Sequence, residues 1–181
     1  MDGAPRTSSP TAAWDPLARS LGGSFQARAR GLLGSRFSLL KDDDEWGTLR
    51  MLGSYAAELH VGASRSEIER TGDLGARYRM RTDGSAVLIA GPERPQEGLR
   101  IFCGGKAYEA ETSVLRNTSV ARRLTAAPSQ NENDATGDEV RLSGSIAGRS
   151  YRVTFPEGDG IALAVAIFLL YRNVAIRRTA F

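Results

Sequence analysis

Arg77, Arg79 and Arg81 alternate with Tyr78 and Met80. In an extended strand, side chains two apart share a face, so the three guanidiniums project together and Tyr78 and Met80 project the other way. Guanidiniums about 6.6–7 Å apart can grip phosphate oxygens in fork geometry, which is the chemistry of anionic headgroup recognition. The competing reading is a solvated outer face, where arginines are ordinary. Arg122-Arg123 and Arg149 with Arg152 are weaker versions of the same pattern.

Other residues offer chemistry that their spacing does not support. Asp42-Asp43-Asp44-Glu45 is acidic but contiguous, whereas a calcium loop needs ligands at alternating positions and a turn-making Gly; a polar hairpin tip is expected. His60 is the single histidine. A His-based zinc site cannot be built from it, and a Ser-His-acid triad would rest wholly on it without a Gly-x-Ser-x-Gly elbow. It falls on the strand face of Glu58, opposite Leu59 and Val61, and reads as a surface histidine. Cys103, the single cysteine, follows Ile101-Phe102 and is expected to be buried rather than nucleophilic. Phosphate-loop and dinucleotide motifs do not occur. Trp14 and Trp46 are too isolated to form a stacking platform for single-stranded nucleic acid. No cofactor, metal or nucleic-acid partner is expected, and no catalytic residue set is found.

The elements that must position these residues follow from texture. The chain has 181 residues, 41% hydrophobic and 25% charged, with a net charge of +3; these proportions exclude a wholly disordered chain and a polybasic carrier. Residues 1–34, with Pro5, Pro10 and Pro16, read as a mobile arm with a short helical turn at Leu17–Leu21. From Ser35 onward, short runs rich in β-branched and aromatic residues are separated by Gly, Asp and Pro, which predicts an all-β meander. Strands are predicted at Arg36–Lys41, Trp46–Leu52, Ala56–Val61, Arg65–Arg70, Arg77–Arg81, Ala86–Ala90, Leu99–Cys103, Lys106–Ser113, Ser119–Leu124, Glu139–Ile146 and Arg149–Phe155. Asp83-Gly84, Gly104-Gly105 and Ala147-Gly148 suit two-residue hairpin turns. The acidic stretch 125–138 reads as an exposed loop.

Residues Ile161 to Tyr171 form an uncharged apolar run of eleven residues ended by Arg172 and Asn173. As a helix it spans about 16 Å at ~1.5 Å per residue, short of the roughly 20 residues that cross a bilayer. Asp159 is placed to cap it and Arg172, Arg177 and Arg178 lie toward its negative end. A helix apolar on every side must be enclosed on every side. Among strands, the available enclosure is a closed barrel whose interior the helix fills. The expected fold is therefore a closed antiparallel β-barrel of about 11–12 strands over residues 35–181, enclosing a hydrophobic C-terminal helix at 159–176.

That order of strands, followed by an apolar helix after Glu157-Gly158-Asp159-Gly160-Ile161-Ala162, resembles the tubby-like β-barrel group of tubby domains, plant LURP-one-related proteins and phospholipid scramblases. The segment Phe37 to Arg50 is similar to the opening hairpin of the LURP-one-like members. The resemblance spans roughly 35–178 and is one of order and pattern. Tubby domains bind phosphoinositide headgroups through basic side chains, and the resemblance implies that kind of binding here; no local motif aligns, so no individual residue is carried over. Scramblases are associated with calcium through an acidic segment near the helix, which Glu157 and Asp159 alone do not reproduce. Together these readings predict a cytoplasmic, non-enzymatic binding module that meets anionic lipid or phosphorylated ligands peripherally at a membrane surface through Arg77, Arg79 and Arg81. The alternative is a structural or protein-interaction barrel with no lipid role.

Overall fold

Alternation of inward apolar and outward polar residues recurs from Ser24 to Thr154, and the computed structural model, which describes residues 11–31, 34–72, 74–93, 98–125 and 138–180, resolves it into twelve antiparallel strands. They are β1 (Ser24–Arg30), β2 (Arg36–Lys41), β3 (Asp44–Leu52), β4 (Ala56–Val61), β5 (Ser64–Thr71), β6 (Arg77–Thr82), β7 (Ser85–Ala90), β8 (Leu99–Cys103), β9 (Lys106–Ser113), β10 (Thr118–Arg123), β11 (Glu139–Gly144) and β12 (Ser150–Thr154). Each pairs with the next, and β12 closes on β1 with Phe25 opposite Val153, so the sheet has no edge. Outward positions carry charge on most strands, as with Arg65, Glu67 and Glu69 on β5. A membrane-spanning barrel has the reverse pattern, an apolar outer band.

A barrel this wide leaves a bore that strand side chains alone do not fill. Helix α2 (Gly160–Ala180) fills it: every residue from Ala162 to Tyr171 is fully buried, and small wall residues such as Ala27, Ala57, Ala110 and Ala121 make room. Asp159 Oδ1 accepts the N–H groups of Ile161 and Ala162 at 2.9 and 3.0 Å, capping the helix as its position predicts. The helix runs past the expected end at 176 to Ala180, because Arg172 and Asn173 are buried among polar partners instead of marking a boundary. By length and a mean hydropathy of 1.6, Gly160–Thr179 could cross a membrane, yet 83% of that window is buried inside the barrel.

The N-terminal expectation is corrected. Within the segment read as a mobile arm over 1–34, a 3₁₀ turn (Ala12–Trp14), helix α1 (Asp15–Leu21) and β1 are ordered parts of the fold; residues 1–10 lie outside the described residues. β1 is the closing strand, and its inward positions are Phe25 and small alanines, Ala27 and Ala29, too weak an apolar signal to stand out between glycines. Most of the acidic loop, residues 126–137, lies outside the described residues. Ala147-Gly148 belongs to a loop closed by Ser145 N–H to Ser150 O at 2.8 Å rather than to a two-residue turn.

A meander barrel sends alternate hairpins to opposite ends. The β1–β2, β3–β4, β5–β6, β7–β8, β9–β10 and β11–β12 loops share one end, where α2 also finishes; we call it the open end. At the other, capped end, α1 and Trp14 lie over the start of α2. Asp15 Oδ1 accepts the Gly160 N–H at 3.0 Å. A Cβ on Gly160 would sit 2.5 Å from that oxygen, so only glycine lets the two helices meet.

Candidate functional site

β6 places the arginines as their alternation predicts: Tyr78 and Met80 are buried, Arg77 and Arg79 are exposed, and Arg81 is half-buried. Register sets their neighbours. Arg79 stands between Glu69 on β5 and Ile89 on β7, and Arg81 opposes Glu67. Glu67 is engaged by Arg65 at 3.0 Å. Among the described residues, no carboxylate lies within ion-pairing distance of Arg77, Arg79 or Arg81.

A cleft of about 510 Å³ opens on this face, lined by Arg77, Arg79, Glu69 and the exposed apolar side chains Ile89 and Phe102. Two of the three predicted arginines thus meet in one concavity. Arg81, four residues further along β6 than Arg77, lies outside its lining. The cleft floor includes Gly91, whose φ of +106° and approach to Ala76 O, 2.6 Å from where a Cβ would stand, demand glycine.

Under the cleft runs a polar chain that sequence reasoning did not find. Tyr78 donates its hydroxyl to Glu93 Oε2 at 2.5 Å, and Arg172 of α2 donates to Glu93 Oε1 and to Thr112. Thr112 and Ser119 share a hydrogen bond at 2.7 Å, Ser119 donates to Asn173, and Asn173 donates to Asn117 at 3.2 Å. Burial opposes ionisation of Glu93, but the hydrogen bonds and charge of Arg172 outweigh it and hold the carboxyl below the usual glutamate range. Tyr78 moves the other way, raised first by burial and then by the Glu93 carboxylate. Arg70 Nε, Arg172 Nε and the Tyr171 hydroxyl are buried in this region without a hydrogen-bond partner. One signal was present in the sequence: Val174-Ala175-Ile176 resumes the apolar run beyond Arg172 and Asn173, which marks those two as interior polar residues.

The remaining candidates separate cleanly. Arg122 pairs with Glu139 at 3.0 Å and with Glu111, Arg123 with Asp138, and Arg149 donates to Gly31 O at 2.7 Å. Asp42 and Asp43 form the β2–β3 hairpin tip with φ of 50° and 70°, the turn role expected of them. Among the described residues, no group of three or more His, Cys, Asp and Glu side chains is placed to hold a metal. His60 is exposed beside Glu58, 3.5 Å away, and Glu58 also accepts from Arg65. Cys103 is buried against Ile161 O, and burial, followed by the nearby Asp159 charge, pushes its thiol up to about 12.

The protein is thus a closed twelve-stranded antiparallel barrel packed around its own apolar C-terminal helix. Comparison with protein-family models, curated proteins and solved structures gives no match.

Proposed function

We propose that the barrel is a non-enzymatic binding module that takes an anionic headgroup or another phosphorylated ligand in the cleft beside Arg77 and Arg79. The observation that carries this reading is the pair of exposed guanidiniums free of described carboxylate partners on one concave wall, with Ile89 and Phe102 offering apolar contact next to them. Two guanidiniums on adjacent outward positions suit phosphate oxygens, and a half-apolar wall suits the carbon skeleton of a headgroup. Glu69 in the same wall favours a ligand that also presents a hydroxyl donor. The resemblance to tubby-like barrels points to the same class of ligand.

The non-enzymatic reading is supported by the groups most often recruited as nucleophile and base. The Cys103 thiol is buried and held protonated, and His60 sits on an open strand face. On this reading the protein is cytoplasmic, meets membranes peripherally and takes no nucleic acid.

Calorimetric titration with soluble inositol phosphates, and with vesicles carrying phosphoinositides, tests the reading and separates a free phosphorylated ligand from a lipid source. Arg77→Ala/Arg79→Ala is expected to weaken binding at least tenfold while Arg81→Ala changes it little, since Arg81 lies outside the cleft. Equal affinity of wild type and the double variant would overturn the proposal and leave a protein-interaction barrel as the better description.

A further inference from the structure

The open end carries a second feature, independent of the cleft. Leu74 in the β5–β6 loop, Leu115 in the β9–β10 loop and Ile146 in the β11–β12 loop are 98%, 97% and 95% exposed. All three loops belong to the same end of the barrel. Scattered exposed leucines are ordinary, but three loops presenting fully bare aliphatic side chains at one end of the barrel are not.

Two of the tips are held rather than loose. Arg177 of α2 donates to Val114 O at 3.3 Å and to Ile146 O at 2.5 Å, stitching both loops to the helix. Asn117 donates to Ser145 O at 2.8 Å and ties the loops to each other. Between Leu115, Ile146, Val174 and Arg178 lies a hollow of about 590 Å³. Tyr55 of the β3–β4 loop, half exposed with Arg70 stacked 5.3 Å above its ring, adds an amphipathic aromatic at the same end.

Charge selects the occupant. Among the described residues of the open-end loops and the last turn of α2, Arg116, Arg149, Arg177 and Arg178 stand against Glu93, which Arg172 neutralises. Arg36 opens β2 at this end as well. At the capped end Asp15, Asp42, Asp43, Asp83, Asp138, Glu157 and Asp159 stand against Arg19, and the strand ends there add Lys41, Lys106 and Arg123 against Asp44 and Glu139, which leaves that end acidic. Asp73, Arg94 and Glu97 in the open-end loops, and Glu132 and Asp134 in the acidic loop, lie outside the described residues. Aliphatic tips set among arginines match a surface that is anionic outside and hydrocarbon just beneath.

We propose that the open end docks on an anionic bilayer, with Leu74, Leu115 and Ile146 inserted between headgroups and Arg116 and Arg178 among the lipid phosphates. The acidic capped end then points away from the membrane, which fixes the barrel axis toward the bilayer normal.

Co-sedimentation with phosphatidylcholine vesicles, with and without phosphatidylserine, tests this. Wild type is expected on the phosphatidylserine vesicles and to be released by high salt. Leu74→Ser/Leu115→Ser/Ile146→Ser should lose on the order of a hundredfold in partitioning, and Arg116→Ala/Arg178→Ala about fivefold per arginine. Thermal melts should stay at the wild-type midpoint, since all five side chains are exposed. A Leu115→Trp variant should show blue-shifted emission on the vesicles, which reports insertion rather than adsorption. No preference for phosphatidylserine, equal partitioning of the triple variant, or an unshifted emission would each overturn the proposal, as would a concentration-dependent dimer abolished by the triple variant. The triple variant should still bind soluble inositol phosphate, and Arg77→Ala/Arg79→Ala should still partition onto phosphatidylserine vesicles, so failure of the rim and failure of the cleft are read separately.

Discussion

At the capped end of the barrel, α1 and Trp14 lie across the first turn of α2, Asp15 bonds Gly160, and Lys106 meets Asp159 at 2.7 Å. At the open end, α2 finishes among arginines, its last buried charge, Arg172, is held by Glu93, and aliphatic loop tips stand in solvent. The first closure comes from short apolar packing and a helix cap; the second comes from a polar network that threads helix, barrel wall and the β7–β8 loop. A net charge of +3 conceals this difference, because among the described loop residues most acidic side chains lie at the capped end and most basic ones at the open end. Such sorting produces a field along the barrel axis that a uniform +3 would not.

The largest expected contrast between the ends is chemical. Arg172→Leu takes the cationic donor from the Glu93 carboxylate and the Thr112 hydroxyl, leaving Glu93 only Tyr78 and Thr112 only Ser119, and is expected to cost about 3–5 kcal/mol in urea denaturation. A loss below about 1 kcal/mol would mean that the open end does not depend on this pair. The same substitution should flatten the acid limb of stability. The Glu93 pKa is depressed in the folded protein, so its contribution is complete above the unfolded value, near 4.3, and is lost as pH falls through the lower folded value. Wild type should therefore lose stability below about pH 4 more steeply than Arg172→Leu; parallel acid limbs would break the assignment.

At the capped end, Trp14→Ala removes a buried aromatic ring and should cost about 3 kcal/mol, with no added slope against pH because no titrating partner is lost. A pH-dependent penalty for Trp14→Ala would show that loss of the ring disturbs the neighbouring Asp159, whose carboxyl, despite burial, Lys106 and the helix N–H groups hold low, and would erase the contrast drawn with Arg172→Leu. Asp159→Ala, which removes the cap of α2 and the Lys106 partner, should cost about 1 kcal/mol. The smallest effect belongs to the barrel wall between the ends: His60→Ala should stay within about 0.5 kcal/mol, since the ring is exposed and its neighbour Glu58 keeps Arg65. A larger change would show that the outer face of β4 contributes more than solvated surface.

Ten of the strands were legible because their inward positions carry Leu, Ile, Val, Phe, Tyr or Met against polar or charged outward neighbours, a period-two contrast that burial enforces, while β10, whose inward positions are Ser119 and Ala121, was read from its β-branched Val120. β1 was not, because alanines give almost no contrast with their surroundings even when a wall position requires them. The face of Arg77, Arg79 and Arg81 was legible from alternation alone; that only the first two share a cleft depends on which neighbouring strands and loops wall it, which local spacing does not encode. Glu93 was illegible for a different reason. It reaches its partner across 79 positions of chain, a separation at which no periodicity carries information.

Sequence by itself determined the material of this protein: strands of period two, an all-round apolar helix that must be enclosed, and an aspartate placed to cap it. Those are local consequences of side-chain spacing and hydrophobicity. Tertiary structure alone decided which strand closes the barrel, which arginines stand in a concavity, and that acidic and basic loops gather at opposite ends. Closure brings residues far apart in the chain to one rim, and the direction of each loop follows from the parity of strands around the barrel rather than from anything its own residues specify.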